Sequence, residues 1–223
     1  MERPYRNLGY FFLILLLFVF FGFYKTYFGL MPGFNKETTS VVHFHATILF
    51  LWVCTVITQP LLIRYGKYST HRMIGRLTYV LVPLMVLSFF LMWMKGYANV
   101  PGEHSMSVFG QYMMAAHFHS ICNVVLLVVF YSMAVANVSR TPYHMRYMIA
   151  TTLIFIDPTL TRILSSWFHM TGFQADLVTD SFTDLILVGL ILLDVKYKQN
   201  FRPYLYALGL FLIYHIALFM MNH

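Results

Sequence analysis

Apolar runs of about twenty residues recur along this chain, with short polar segments between them. A helix of roughly twenty residues is needed to cross about 30 Å of hydrocarbon. Most of the runs are apolar on every side, whereas a surface helix of a soluble protein keeps a polar face at a period of about 3.6 residues. The pattern therefore predicts an all-α bundle of about seven transmembrane helices, at 7–28, 41–64, 72–95, 108–137, 145–168, 177–195 and 203–221.

Composition agrees with this prediction. The chain is 59% hydrophobic and only 10% charged, whereas a soluble domain has roughly 25% charged residues. Proline and glycine fall between the predicted spans, as they do at 31–33 and at 99–102. Since the sequence offers no long polar segment, residues 1–223 are predicted to form a single transmembrane domain whose partner is the lipid bilayer.

The distribution of lysine and arginine predicts the orientation of the chain. The side with the larger number, which should face the cytoplasm, carries Arg3, Arg6, Arg64, Lys67, Arg72, Arg76, Arg140, Arg146, Lys196, Lys198 and Arg202. The other side carries Lys25, Lys36 and Lys95. We therefore expect a cytoplasmic N-terminus and an outside C-terminus. These charges should anchor helix ends at anionic headgroups, so the net charge of +7 requires no nucleic-acid partner.

Two of the predicted spans begin with the same tripeptide, His-Phe-His, at 43–45 and at 117–119. Each tripeptide is followed by a cytoplasmic histidine and arginine, and then by a proline in the next span, Pro83 or Pro158. This pattern predicts a duplicated two-helix hairpin, formed by spans two and three in one copy and spans four and five in the other. Equivalent histidines of the two copies would then face each other across an axis along the membrane normal.

Ionisable side chains from five spans fall at a similar depth in the outer half of the predicted bundle, if depth follows a rise of about 1.5 Å per residue. They are His45, His119, Arg162, Asp180, Asp184 and His215. Ionisable residues within spans are costly, so they usually face the interior, pair with one another and mark function. The two aspartates lie four residues apart and share a helix face, and so do His119 and Asn123.

The first functional hypothesis is a site for a divalent metal, with zinc as the candidate ion. Neutral imidazoles and carboxylates are good ligands for zinc. The predicted ligands are His45, His119, His215 and Asp184. An open position on the metal would activate a bound water for hydrolysis. In such an enzyme Asp180 or Asp184 would act as a base, and Arg162 would hold an anionic group of a small-molecule or lipid substrate.

Two other hypotheses remain open. In one, His45 and His119 are the axial ligands of a b-type haem, in electron transfer or oxidase assembly, and Arg162 contacts a propionate. In the other, the protein is a transporter or a structural subunit without a cofactor, whose polar residues line a path or pair with one another. The pair Asp157-Pro158 near the midplane of span five favours a proton or ion path, because a midplane carboxylate needs a partner or water.

A longer pattern, HA…W…QPLLIR…HR.IGR, runs from His45 to Arg76. This pattern, together with a later helix start that contains a histidine, covers about half of the chain. Over this part the sequence resembles a group of uncharacterised bacterial seven-helix membrane proteins. The resemblance implies a seven-helix fold and a bacterial inner-membrane location, but no activity. The topology is also similar to that of adiponectin-receptor-like and ceramidase-like zinc hydrolases. Here the last span offers His215 alone, where those enzymes have two histidines one turn apart.

One purified sample distinguishes these hypotheses. If His45 and His119 hold a haem, the reduced protein should show a Soret band. If the predicted ligands hold zinc, elemental analysis should find it in stoichiometric amount. A sample with neither signal would contradict both cofactor hypotheses and favour the third.

Overall fold

Every regular element in the described part of the chain is helical. The computed structural model describes residues 2–34, 38–98 and 108–221, and the all-α prediction is confirmed there. The helices are α1 (Leu8–Tyr24), α2 (Ser40–Arg64), α3 (Tyr68–Ala98), α4 (Val108–Ala136), α5 (Thr141–Leu153), α6 (Ile156–Phe168), α7 (Gly172–Lys196) and α8 (Arg202–Met221). The predicted turn at 99–102 and Lys36 lie outside the described residues.

The helices have the length and surface of membrane-spanning segments. Six segments of the described chain are long and apolar enough to cross a membrane, counting α5 and α6 together as one. Their exposed side chains are strongly apolar: Leu77 is 62% exposed, Ile213 68% and Met220 72%. Leaving such surface in water costs roughly 25 cal/mol per Å², whereas lipid tails accept it without this cost. The chain is an integral membrane protein.

Helix α7 contains the predicted span 177–195, but four aspartates make it more polar than the six segments above. Most of its exposed residues are apolar, among them Phe182, Leu185 and Leu192. Asp180 and Asp194, by contrast, are buried. This is the reverse of a surface helix in a soluble protein, where the charged side faces outwards. A helix with this distribution suits a membrane, because its carboxylates face the protein interior and its apolar side faces the lipid.

The predicted span 145–168 is interrupted in the structure. Helix α5 ends at Leu153 and α6 begins at Ile156. The cause is Pro158, which has no N–H to donate to the carbonyl four residues earlier and whose ring clashes with that carbonyl. As a result Asp157 lies in the first turn of α6, where it is buried.

The chain divides into two compact units, Met1–Asn99 and Val100–His223. In the first unit α2 packs against both α1 and α3. A glycine permits the close approach of α1, because a Cβ atom added to Gly9 would lie 2.6 Å from the side chain of Leu61. Small residues commonly allow such contacts between membrane helices. The single-domain organisation of residues 1–223 stays a prediction.

In the second unit α8 packs against α4, α5 and α7, and α6 packs against α7. A short turn joins α6 to α7, and in it His169 has a φ of 57°, the left-handed conformation in which many helices end. Helix α7 then begins with a capping box. The backbone N–H of Gln174 donates to the hydroxyl of Thr171, and the backbone N–H of Thr171 donates to the side chain of Gln174. These contacts begin α7 directly after the turn that follows α6.

A fully buried ion pair joins α5 to α7. The Nε atom of Arg146 donates to Oδ2 of Asp194 at 2.6 Å, and Nη2 donates to Oδ1 at 2.8 Å. The guanidinium carbon lies 5.8 Å from the ring centroid of Tyr204 on α8, within the range of a cation–π contact. The prediction that Arg146 anchors a helix end at the headgroups is therefore wrong, since its side chain is 0% exposed and neutralised inside the unit.

Breaking this pair should destabilise the protein strongly. In Asp194→Asn the guanidinium of Arg146 stays buried without a counter-charge, so we expect the free energy of unfolding to fall by about 3–5 kcal/mol. The double variant Arg146→Met with Asp194→Leu should cost much less, because neither charge is then buried. Unfolding in detergent measures both, with the exposed Lys196→Gln as the control. A double variant as unstable as Asp194→Asn would contradict this explanation.

Candidate functional site

The second unit contains a hydrogen-bonded group of ionisable side chains around His119 on α4. Its Nε2 atom lies 2.6 Å from Oδ2 of Asp157 on α6. Its Nδ1 atom lies 2.8 Å from the hydroxyl of Tyr214 on α8. Both ring nitrogens of His119 therefore have partners within the unit. We call His119, Asn123, Asp157 and Tyr214 the His119 cluster.

Asp157 is held by donors from α4. The residue is 5% exposed, and its Oδ2 atom accepts a second hydrogen bond at 2.6 Å from Nδ2 of Asn123. His119 and Asn123 lie four residues apart on α4, so both side chains reach the same carboxylate. The predicted shared face of these two residues is confirmed. Such donors are needed because a carboxylate without partners is very costly in an apolar interior.

The His119 cluster keeps its hydrogen bonds in two protonation states. A neutral imidazole with its proton on Nε2 donates to Asp157 and accepts at Nδ1 from the Tyr214 hydroxyl. With a second proton on Nδ1, the imidazolium donates to both neighbours, and the hydroxyl turns to accept. Neither state requires a heavy atom to move. The geometry therefore allows one proton to enter or leave at Nδ1 of His119.

Thr161 links this cluster to α7. Its hydroxyl lies 3.3 Å from Oδ1 of Asp176 and 3.2 Å from the hydroxyl of Thr179. It also makes a long contact, 3.5 Å, to Oδ1 of Asp157. Thr161 follows Asp157 by one helical turn and so lies on the same side of α6. Because a hydroxyl both donates and accepts, Thr161 is placed to pass a proton between the two carboxylates.

A second group, which we call the His215 triad, consists of His215, Asp180 and Asp184. The Nδ1 atom of His215 on α8 lies 3.1 Å from Oδ2 of Asp184, and Nε2 lies 3.4 Å from Oδ1 of Asp180. The predicted common face of the two aspartates is confirmed by these contacts. The Nδ1–Asp184 contact is a hydrogen bond, whereas the Nε2–Asp180 contact is an ion-pair distance only.

An open cleft of about 230 Å³ lies between α7 and α8 beside the His215 triad. The triad and Asp176 form its polar side, and phenylalanine and leucine side chains of both helices form its apolar side. Asp176 thus borders the cleft and also contacts Thr161, so it connects the cleft to the His119 cluster.

The structure joins only part of the predicted metal site. His215 and Asp184 are in contact, whereas His119 is bonded to Asp157 and Tyr214. Within residues 2–34, 38–98 and 108–221, no three His, Cys, Asp or Glu side chains are arranged to hold a metal ion. The zinc site with His45, His119, His215 and Asp184, and the haem site with His45 and His119, stay predictions.

Two further predicted residues have other partners. His45 belongs to the first unit, where its Nδ1 atom lies 3.0 Å from the buried hydroxyl of Ser88 on α3. Arg162 is exposed, and its Nη1 atom donates at 2.9 Å to the carbonyl of Pro158 in its own helix. Its predicted contact with an anionic group stays a prediction.

The two His-Phe-His copies differ in what their second histidine contacts. His45 bonds to a hydroxyl, Ser88, and His119 bonds to a carboxylate, Asp157. In each unit the partner lies on a later helix of the same unit. His43 bonds to the hydroxyl of Tyr27, whereas the side chain of His117 lies outside the described residues. The duplication stays a prediction, and a histidine–carboxylate pair is seen in the second copy.

Sequence analysis missed two members of the network, Tyr214 and Thr161. Both had a signal in the sequence. Thr161 lies one turn after Asp157, and so shares its helix face. Tyr214 precedes His215 in an otherwise apolar span, and a buried tyrosine hydroxyl usually finds a hydrogen-bond partner.

Comparison of the chain with family models, with curated proteins and with solved structures gave no match. The resemblance to bacterial seven-helix membrane proteins therefore stays an expectation. The functional argument rests on the geometry of the residues themselves.

Removing the Asn123 amide should show how much Asp157 depends on its donors. Asn123→Leu leaves the buried carboxylate with one donor fewer, and we expect a loss of about 1–3 kcal/mol in the free energy of unfolding. Asn137→Leu is the matched control, in the turn directly after the same helix. Its amide donates to the carbonyl of Met133 near the helix end, where water can replace it, so its loss should cost less than about 1 kcal/mol. Equal losses in the free energy of unfolding of the two variants would show that the hydrogen bond to Asp157 stabilises the protein no more than the bond near the helix end.

Proposed function

We propose that this integral membrane protein exchanges a proton at the His119 cluster and works as a proton-coupled membrane carrier. The observation that supports the proposal is the 2.6 Å contact between Nε2 of His119 and the carboxylate of Asp157, which is 5% exposed. Aspartates and histidines connected inside a membrane are characteristic of proton relays in pumps and transporters.

A continuous series of polar groups supports a path to this site. From the cleft it runs through Asp176, Thr161 and Asp157 to His119, and it ends at Tyr214. Each member either titrates or has a hydroxyl that can both donate and accept. Asp176 is half-buried and borders the cleft, so it is the member through which a proton would enter or leave.

The interruption between α5 and α6 also favours a carrier. Asp157 lies directly after the break, next to Pro158. Many transporters bind their substrates and coupling ions at such discontinuous helices, because the break frees backbone groups and permits movement. A carboxylate that only neutralised a charge would need no break beside it.

Metal or haem binding would require more rearrangement than proton exchange. A metal takes a lone pair from a ring nitrogen, and both nitrogens of His119 already have partners. His119 would have to give up its contact with Asp157 or with Tyr214. His215 is in the same position, with Asp184 and Asp180 as its neighbours. Proton exchange uses the observed contacts as they are.

Infrared difference spectroscopy of the protein in lipid, with isotopically labelled aspartate, tests the proposal. Between about pH 5 and pH 8, the range in which histidine sites usually titrate, the wild type should show a carboxyl and imidazole signal. Asp157→Asn should remove the contribution of Asp157 to the carboxyl signal, and His119→Gln should remove the contribution of His119 to the imidazole signal. Each variant should alter the other signal too, because the two groups are in direct contact.

The control is His169→Asn, which removes an exposed histidine from the turn after α6 and tolerates the left-handed conformation there. It should leave the Asp157 signal unchanged. Difference spectra that are the same in the wild type and in Asp157→Asn would overturn the proposal. Stoichiometric zinc that is lost in His119→Gln would replace it with the metal hypothesis.

A further inference from the structure

We propose that the cleft between α7 and α8 binds a small organic cation, an ammonium group attached to a short apolar body. This binding site goes beyond proton exchange at the His119 cluster and does not depend on it. The argument rests on the charge of the cleft, on a buried acceptor, on its aromatic walls and on its size.

The charge of the cleft favours a cation. Asp176, Asp180 and Asp184 follow one another at intervals of four residues, so their carboxylates lie on the same side of α7. Among the described residues that line the cleft, His215 is the one basic group. One imidazole is insufficient to balance three carboxylates, and a bound cation would supply the missing charge.

Asp180 carries an acceptor that the protein leaves without a donor. The residue is 9% exposed, and its Oδ1 atom accepts no hydrogen bond from any described residue. The contact of this atom with Nε2 of His215, at 3.4 Å, is an ion-pair distance only. A buried acceptor without a donor costs about 1–3 kcal/mol. Oδ1 of Asp184, which is also buried, lacks a donor within the described chain as well. An ammonium group in the cleft would donate to these atoms.

The walls of the cleft suit an organic cation. The rings of Phe173 and Phe219, one from each helix, lie with centroids 6.0 Å apart and both border the cleft. Aromatic faces attract ammonium groups through cation–π interactions. Leu177 and Leu212 extend the apolar side. An organic cation could therefore place its charge at the aspartates and its apolar body against these side chains.

The size of the cleft restricts the ligand. Sites for drug-sized ligands measure roughly 300–1,000 Å³, and this cleft measures about 230 Å³. An ammonium ion with a short apolar group is therefore a better match than a long-chain molecule held along its whole length. Such a cation also needs no fixed set of ligand distances, in contrast to a metal ion.

Calorimetric titration of the protein in non-ionic detergent with benzylammonium, whose N–H groups can donate to the two carboxylates, tests this proposal. The cation should bind at one site, and the neutral analogue benzyl alcohol should bind at least tenfold more weakly, since it lacks the charge that Asp180 and Asp184 attract. No saturable binding, or equal affinity for the two compounds, would overturn the proposal.

Variants locate the site. Asp180→Asn and Asp184→Asn should each weaken binding by about tenfold or more. Phe219→Leu, which keeps the apolar surface but removes the ring, should weaken it by a few-fold. Glu2→Gln is the control, because it makes the same change in net charge in the first unit. Thermal unfolding of each variant shows whether it is folded. Unchanged affinity in folded Asp180→Asn would overturn the proposal.

Two further measurements separate the remaining questions. His119→Gln should still bind the cation at one saturable site, so that a failure of proton exchange and a failure of cation binding can be told apart. Competition with short-chain phosphatidylethanolamine, whose headgroup ammonium also carries N–H groups, identifies the source of the ammonium group. Displacement by the lipid, lost in Asp180→Asn, would support the site and assign it to a lipid headgroup. Binding without displacement would support the site and assign it to a free amine.

Discussion

An ionisable side chain inside a membrane protein has little water to solvate it, so it must find its partners within the protein. The second unit meets this requirement in two ways. Arg146 and Asp194 form a bidentate pair, and because arginine stays protonated, the pair is permanent. His119 and Asp157 also satisfy each other, but their proton can move. The first arrangement stabilises the unit, and the second is the basis of the function that we propose.

Sequence patterns were sufficient for most of the helices, with the interrupted span 145–168 as an exception, and for local pairs within one helix. The span at 41–64 corresponds to α2, Ser40–Arg64, because its apolar residues and flanking polar residues leave little choice of boundary. The common faces of His119 with Asn123, and of Asp180 with Asp184, followed from a spacing of four residues alone. Contacts of this kind depend on helical geometry, which the sequence determines directly.

Partners on different helices could not be predicted, because they depend on how each helix is rotated and how deep it lies. Predicted depth grouped His119 with His215. In the structure His119 contacts Asp157, and His215 contacts two aspartates of α7. The break after Leu153 shifts Asp157 relative to a straight helix, and the turn at His169 separates α6 from α7. Arg146 is a further example. Its charge alone suggested a position at the headgroups, but its partner Asp194 lies on another helix and holds it in the interior.

Tyr214 and His215 are consecutive residues of α8, yet one contacts α4 and the other contacts α7. Successive side chains on a helix point about 100° apart, so a single rotation of α8 about its axis must alter both contacts at once. The contact of Tyr214 with α4 and the contact of His215 with α7 are therefore only one peptide bond apart. Each can affect the other without intermediate residues. Linkage between two equilibria is reciprocal. If an event at His215 changes the free energy of an event at Tyr214 through α8, the event at Tyr214 changes the free energy of the event at His215 by the same amount.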